Sequence, residues 1–281
     1  MKDRYLFRKG TLIQCGVIAT TLGVSVWQSP AQIVTLTDNN SVAQIDTGTS
    51  SGMFNWSVDG SPQLFQQWFW LRVGAVGGEA PINTIGAPAN TTPTARDLTS
   101  IYNNGSYSVR VAYQLNGGAI NSGTSGMSEA IRIENLTAGP LDFHFFQYTD
   151  FDLGGAGNNT TVLSQNLFTG RYTTADQVGP GGVFQETLAT PGANRAEAGI
   201  FPNTVNSLND ASTTTLNNNL NAGPGDTTYA FQWDVTIVGG GSFEINKALS
   251  LQLTNVPEPS ALALISLGLA GVALRKRRTS V

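Results

Sequence analysis

Residues 148–155 contain the side chains of this sequence with the clearest chemical potential. Asp150 and Asp152 supply two carboxylates, and Asn158 follows after a glycine-rich turn. Carboxylate and amide oxygens are the ligands that Ca²⁺ takes in proteins. We therefore predict a calcium site at Asp150, Asp152 and Asn158, although Gly154 and the lack of a closing glutamate depart from the EF-hand loop. The alternative is an ordinary strand-to-loop corner, where Asp and Asn are common.

The only histidine, His144, lies in a stretch of alternating residues, Leu141–Leu153. As a strand, this stretch places His144 on one face with Asp142, Asp150 and Asp152. A histidine beside carboxylates can transfer protons, so a secreted hydrolase built on Asp142, His144 and Asp150 is one alternative function. Residues two apart on a strand are separated by ~7 Å, too far to share one ion unless the strand bends. The competing interpretation is an exposed polar strand face.

Four aromatic residues, Phe65, Trp68, Phe69 and Trp70, cluster in the stretch Gln63–Arg72. Aromatic residues on both faces of a strand predict a central strand that is buried between layers. If the tryptophans were exposed instead, they could stack on sugar rings, and the protein would be a carbohydrate-binding module. Solvent exposure of the tryptophans distinguishes the two alternatives.

Charge and cysteine content exclude several classes of function. Residues 32–256 carry 17 acidic and 7 basic side chains, a net charge of −10. Binding to phosphates needs clustered cations, so we expect no nucleic-acid partner. Cys15 is the only cysteine and lies near the N-terminus, so residues 32–255 have no thiol chemistry. Because there is also no Gly-x-Ser-x-Gly nucleophile motif, we expect no enzymatic activity and no cofactor other than calcium.

Period-two alternation dominates residues 32–255 and indicates strands with one buried face. In residues 106–115, apolar side chains alternate with polar ones, and residues 229–237 repeat the pattern. Gly- and Asn-rich turns separate these stretches, and a helix is expected only around Asn203–Asp210. We predict an all-β body, an antiparallel β-sandwich or jelly roll, with residues 204–228 as a long loop. Further strands are predicted at 33–37, 54–58, 63–73, 129–136, 141–153, 183–189 and 248–254.

Residues 1–31 have the order of a secretory signal peptide. A basic start between Lys2 and Lys9 precedes an apolar stretch at 12–26. Ser29 and Ala31 then provide the small residues that a signal peptidase needs, which predicts cleavage after Ala31. An uncleaved membrane anchor is the alternative. The signal-peptide interpretation places the body outside the cytoplasm.

The last 26 residues, 256–281, have three parts in a fixed order. Prolines in the first part prevent a helix there, and the uncharged apolar run 260–274 must satisfy its backbone as a helix in lipid. Fifteen residues span roughly 22 Å, and basic side chains at one end can reach outward to the headgroups of a ~30 Å core. The positive end is expected to stay cytoplasmic. The flanking residues are Pro257, Glu258 and Pro259 before the run, and Arg275, Lys276, Arg277 and Arg278 after it.

This ordered tail resembles the PEP-CTERM protein-sorting domain. The resemblance implies an exported protein that is held in the inner membrane through residues 260–274. It also implies recognition by an exosortase-type transpeptidase that cleaves near Pro257–Pro259, and an association with exopolysaccharide and biofilm. We therefore expect a non-enzymatic protein of the cell surface or extracellular matrix, with a carbohydrate-binding module or a hydrolase as alternatives. The resemblance is confined to the tail.

Overall fold

The computed structural model describes residues 32–254, except for the side chain of Ala189. In this range, two nine-stranded sheets pack against one hydrophobic core, which confirms the all-β prediction. None of the helices between residues 32 and 254 has the length and apolar character that crossing a bilayer requires. The expected signal peptide (1–31) and the tail from residue 256 lie outside the described residues.

The first sheet follows the order β1-β2-β3-β5-β11-β17-β15, with short strands β4 on β3 and β6 on β5. All its pairs are antiparallel except β3 with β5. Its strands are β1 (Ile33–Asp38), β2 (Ser41–Asp46), β3 (Gly52–Val58), β4 (Ser61–Pro62), β5 (Leu64–Val73), β6 (Ala80–Pro81), β11 (Leu141–Phe151), β15 (Arg195–Ile200) and β17 (Thr227–Ile237).

The second sheet is antiparallel throughout and follows the order β16-β12-β13-β14-β18-β10-β9-β8-β7. Its strands are β7 (Ala89–Thr91), β8 (Asp97–Asn103), β9 (Tyr107–Gly117), β10 (Thr124–Asn135), β12 (Asn159–Asn166), β13 (Arg171–Gly179), β14 (Gly182–Thr190), β16 (Asn221–Gly225) and β18 (Ser242–Leu253). The 3₁₀ turns Ile82–Thr84 and Ala156–Asn158 complete the connections.

The apolar residues that alternate with polar ones in the sequence face the core between the sheets, and the polar residues face outward. In β9, the residues Val109, Val111 and Leu115 are buried between the sheets while Arg110 is exposed. In β17, Phe231 and Trp233 are fully buried in the same way. Aromatic rings from both sheets meet in this core, and Phe151 stacks on Phe184 with 3.9 Å between ring centroids.

The central strands β5, β11 and β17 are also covered on their outer face. Helix α1 (Asn203–Asn209), which the sequence predicted, packs there through Val205 and Leu208. The Trp70 indole N–H donates to Asn209 Oδ1 at 3.0 Å, and the backbone N–H of Leu216 donates to Gln232 Oε1 at 2.9 Å. Residues 204–228 are therefore more than the loop that their polar composition suggested, since they contain most of this cover and strand β16.

Candidate functional site

Three aspartates converge at one end of the outer face of the first sheet. Asp150 and Asp152 lie at the end of β11, and Asp226 lies between β16 and β17. One carboxylate oxygen from each lies within 4.8 Å of the others. The pairing of β11 with β5 shifts register here, since Asp150 lies opposite Gln66 and Phe151 lies opposite Leu64, so Phe65 is the bulged residue of β5. Since β11 ends at Phe151, Asp152 lies beyond the strand, and the ~7 Å spacing of residues two apart on a strand does not apply to Asp150 and Asp152.

Asp150 is the buried member of this acidic cluster. Its side chain is almost wholly enclosed, with 1% of the residue exposed. The Tyr148 hydroxyl donates to Oδ2 at 3.2 Å, whereas Oδ1 has no hydrogen-bond partner among residues 32–254. Leaving a buried acceptor unpaired is unfavourable, and for a charged group the penalty is larger. The orphaned oxygen therefore indicates a site for a cation or a proton.

The electrostatics of the cluster point the same way. Burial raises the pKa of Asp150 to about 8, and the neighbouring carboxylates of Asp226 and Asp152 contribute in the same direction. Burial also raises the pKa of Asp152 and of Asp226. None of the six described residues that line the cavity is basic. A divalent cation would relieve both the repulsion and the desolvation, and three carboxylates with water suit Ca²⁺.

The cavity beside the acidic cluster has a volume of about 150 Å³ and an aromatic rim. Phe65 and Phe201 form this rim, with their rings edge to face and centroids 5.9 Å apart. They are 52% and 37% exposed, so both present apolar surface to solvent beside the carboxylates. Ala156 completes the lining. A ligand on the acidic cluster would therefore touch aromatic as well as anionic groups.

The structure brings together two of the three residues predicted as calcium ligands, Asp150 and Asp152. Asn158 is exposed and is not among the residues that line the cavity. The neighbouring Asn159 is buried, and its amide donates to the carbonyl oxygens of Gly155 and Ala156. Asp226, which the sequence reasoning did not include, joins Asp150 and Asp152 because β17 pairs with β11 and brings Thr228 opposite Asp150.

A second polar site lies at the other end of the outer face. His144 Nδ1 lies 2.6 Å from Asp234 Oδ1, and the Gln232 amide donates to the same oxygen at 2.8 Å. These side chains line an open cleft of about 550 Å³ together with Arg195 and Asp142. The cleft holds both donors and acceptors, so it suits a polyhydroxylated or anionic ligand.

The residues of the alternative hydrolase are divided between the two sites. Asp142 and His144 line the cleft, whereas Asp150 lines the cavity of the acidic cluster. Asp150 follows His144 by six residues, which is ~20 Å along β11. The carboxylate that pairs with His144 is Asp234, which lies directly opposite it in the β11–β17 register. A set built on Asp142, His144 and Asp150 is therefore not assembled.

The aromatic stretch on β5 is buried, as the central-strand prediction required. Trp68, Phe69 and Trp70 are inaccessible to solvent, and Trp70 packs edge to face against Tyr148. Only Phe65 of this group is exposed. The tryptophans of β5 therefore do not form a platform for sugars.

Comparison with known proteins bears on the fold and on the tail separately. A structure from Escherichia coli K12 described as a putative aldose 1-epimerase superposes with a TM-score of 0.52 at 11% identity, covering 79% of this chain and 98% of that one. A galactose mutarotase-like protein from Lactobacillus casei gives 0.43 at 10% identity, covering 79% and 100%. An amine oxidase from Aspergillus nidulans gives 0.48 at 11% identity, covering 90% and 56%. Because the identity to the Escherichia coli structure is only 11%, that similarity concerns the fold alone. No curated protein matches the sequence.

Residues 255–278 match the family model of the PEP-CTERM protein-sorting motif. The resemblance seen in the tail sequence is thereby confirmed. The motif implies that the protein is exported, sorted through a membrane-anchored stage, and processed by an exosortase-type partner. The match covers the tail only, so the chemistry of the β body must be argued from its own residues.

Proposed function

We propose that this chain is a non-enzymatic protein of the cell surface or extracellular matrix whose β body binds calcium at Asp150, Asp152 and Asp226. The observation that carries the proposal is the buried Oδ1 of Asp150, which has no hydrogen-bond partner among residues 32–254, in a cluster that brings one carboxylate oxygen each of Asp150, Asp152 and Asp226 within 4.8 Å of one another. The sorting motif at 255–278 supports the extracellular setting, where calcium is abundant. The division of the hydrolase residues between two sites supports a binding role over a catalytic one.

Calcium gives an acidic body a means of holding acidic polysaccharide. Residues 32–256 carry a net charge of −10, so an anionic polymer would be repelled by most of the surface. A cation held by three aspartates leaves coordination positions for oxygen atoms of a sugar, since Ca²⁺ takes 6–8 ligands. The exposed rings of Phe65 and Phe201 stand beside those positions and can pack against the sugar. We therefore propose that the matrix partner of this protein is an anionic exopolysaccharide.

The test is retention on the producing strain's own exopolysaccharide with calcium or with a chelator. Wild-type protein is expected to be retained in calcium and released by EGTA. Asp226→Asn, at one of the two partly exposed members of the cluster, should greatly weaken retention because it removes one of the three negative charges that would hold the cation. Asp210→Asn is the matched control, since Asp210 is exposed and outside the cluster. Retention of the wild type in EGTA would exclude a calcium bridge.

The cleft around His144 supports a second candidate function, the binding of a neutral carbohydrate. The specific observation is the hydrogen-bonded His144–Asp234 pair beside Arg195 in an open cleft. A polar cleft of this kind can donate to and accept from several hydroxyl groups. Asp234→Asn would weaken such binding without affecting calcium. A glycan array on which wild type and Asp234→Asn give the same pattern would remove this candidate.

A further inference from the structure

Four charged or polar side chains meet in the dry space between the two sheets, apart from both surface sites. Lys247 on β18 lies beside Glu129 on β10 and Glu186 on β14, all in the second sheet. Gln147 on β11 reaches them from the first sheet. All four residues are buried, with at most 3% exposed. The group therefore joins the two layers at a place that water does not reach.

The lysine nitrogen lies close to the amide carbon of Gln147. Lys247 Nζ donates to Gln147 Oε1 at 2.6 Å and to Glu129 Oε2 at the same distance. Because the carbonyl bond is about 1.23 Å long, Nζ is within about 3.8 Å of the carbon Cδ. Reacting atoms in near-attack conformers are about 3–3.5 Å apart, so a small rotation of either side chain brings Nζ into position.

Glu186 contacts both nitrogen atoms that an amide exchange would involve. Its Oε1 lies 3.3 Å from Lys247 Nζ, and its Oε2 accepts from Gln147 Nε2 at 2.7 Å. The Tyr229 hydroxyl donates to Oε2 at 2.5 Å and fixes the carboxylate in place. One carboxylate thus lies between a nucleophile and the group that must leave, which is the position of a general acid–base catalyst.

We propose that Lys247 and Gln147 form an isopeptide bond in the folded protein, with Glu186 as the proton carrier. Lys247 Nζ passes one proton to Glu129 and attacks Gln147 Cδ, whose carbonyl electrons move to Oε1. Glu186 takes a second proton from Nζ and delivers it to Nε2. The carbonyl then re-forms, the Cδ–Nε2 bond breaks, and ammonia leaves. A Cδ–Nζ bond replaces the Cδ–Nε2 bond, and no oxidant or reductant is needed.

The surroundings favour this reaction over hydrolysis. Burial raises the pKa of Glu129, so the carboxylate next to the lysine is a competent acceptor for its first proton. Lys247 Nζ also lies 5.1 Å from the centre of the Phe69 ring, which closes the site from the first sheet. Since the four residues are shielded from solvent, water does not compete with Nζ for the amide carbon.

Peptide mass analysis tests the bond directly. Full-length protein is purified from the cell envelope, denatured, and digested with trypsin, which cleaves after Arg and Lys. Linkage predicts that Lys247 is not cleaved and that peptide 133–171, which contains Gln147, is joined to the peptide beginning at residue 196. The joined species should be lighter than the sum of its parts by one ammonia molecule. Separate peptides with cleavage after Lys247 would overturn the proposal.

Two variants test the role of Glu186. In Glu186→Gln, Lys247 keeps its pairing with Glu129, and the expected result is unlinked peptides from a folded protein. Glu244→Gln is the matched control on β18, the strand of Lys247, because Glu244 is exposed, and it should be linked as in the wild type. Near-UV circular dichroism checks the fold of each. Wild-type linkage in folded Glu186→Gln would overturn its role, and linkage to Glu129 with loss of water would overturn the assignment to Gln147.

Discussion

Replacing Asp150 by asparagine should separate the two effects of the acidic cluster, because this residue both destabilises the metal-free fold and binds the cation. The change removes the charge while keeping the shape, and an asparagine oxygen can still accept from the Tyr148 hydroxyl. We therefore expect Asp150→Asn to be more stable than the wild type without calcium. We also expect it to lose the stabilisation that calcium confers.

The magnitude follows from the pKa of Asp150, which rises from 3.8 to about 8 on folding. A carboxyl whose folded pKa is raised binds its proton more tightly in the native state, so stability is highest below the unfolded pKa. It is then lost as pH rises from about 4 to about 8. At 1.36 kcal/mol per pKa unit, the penalty at pH 7 is about 4 kcal/mol. Asn escapes this penalty, so the gain in EGTA should lie between about 1 and 4 kcal/mol.

The assay is urea unfolding at pH 5 and at pH 8, each in EGTA and in calcium. Wild type in EGTA should lose stability between the two pH values by more than Asp150→Asn does. Calcium at a hundredfold excess over Kd should add about 2.7 kcal/mol to the wild type and nothing to the variant. Asp210→Asn, at an exposed residue, should follow the wild type throughout.

Two results would refute this reasoning. If Asp150→Asn were less stable than the wild type in EGTA at pH 8, the buried carboxyl would be stabilising the metal-free fold, and its burial would not indicate a cation site. If calcium stabilised the variant as much as the wild type, the cation would bind elsewhere. Each result is read from the unfolding midpoint, since the urea dependence should be unchanged.

Three further predictions concern backbone, packing and sorting. Gly52→Ala should lower the free energy of unfolding by about 3 kcal/mol or more, measured in urea, because φ is +58° and a Cβ would lie 2.3 Å from the Trp68 ring. Leu208→Ala in α1 should lower it by about 2–5 kcal/mol by opening a cavity under the cover, while Leu167→Ala on the surface should change it little. Neutral residues in place of 275–278 should disturb membrane retention and processing, and fractionation showing unaltered precursor and mature species would contradict this.

The fold could be predicted because its strands alternate in a way that survives in the sequence. Residues 106–115 and 229–237 show one apolar face each, and both are strands of the core. Half of the strands were not foreseen, since they are short or polar stretches next to turns: β2, β8, β12, β13 and β15, and the strands of two to five residues, β4, β6, β7 and β16. The cover over β5 and β11 was only half foreseen. Its helix has an apolar stripe, but its loops are held by single hydrogen bonds such as that from Leu216 N–H to Gln232.

The candidate sites were harder to predict because strand pairing assembles them. Asp226 reaches Asp150 through the β11–β17 register, which no local pattern of residues reveals. The buried group at Lys247 did leave a signal. In β18, every second side chain faces the core, and Lys247 takes one of these positions, where an apolar residue is expected; the others are Ile245, Leu249 and Leu251. Glu129 in β10 and Glu186 in β14 likewise occupy core-facing positions that are otherwise mostly apolar.

The place of β18 in the second sheet also determines how the protein responds to tension. This strand ends at Leu253, directly before the sorting motif at 255–278, and is paired on both sides by β14 and β10. A pull on the tail would therefore act along an interior strand. It would shear two ladders of hydrogen bonds at once, since these bonds run perpendicular to the strand. A body tethered in this way resists extraction at its middle, whereas tethering through an edge strand would let it unzip bond by bond.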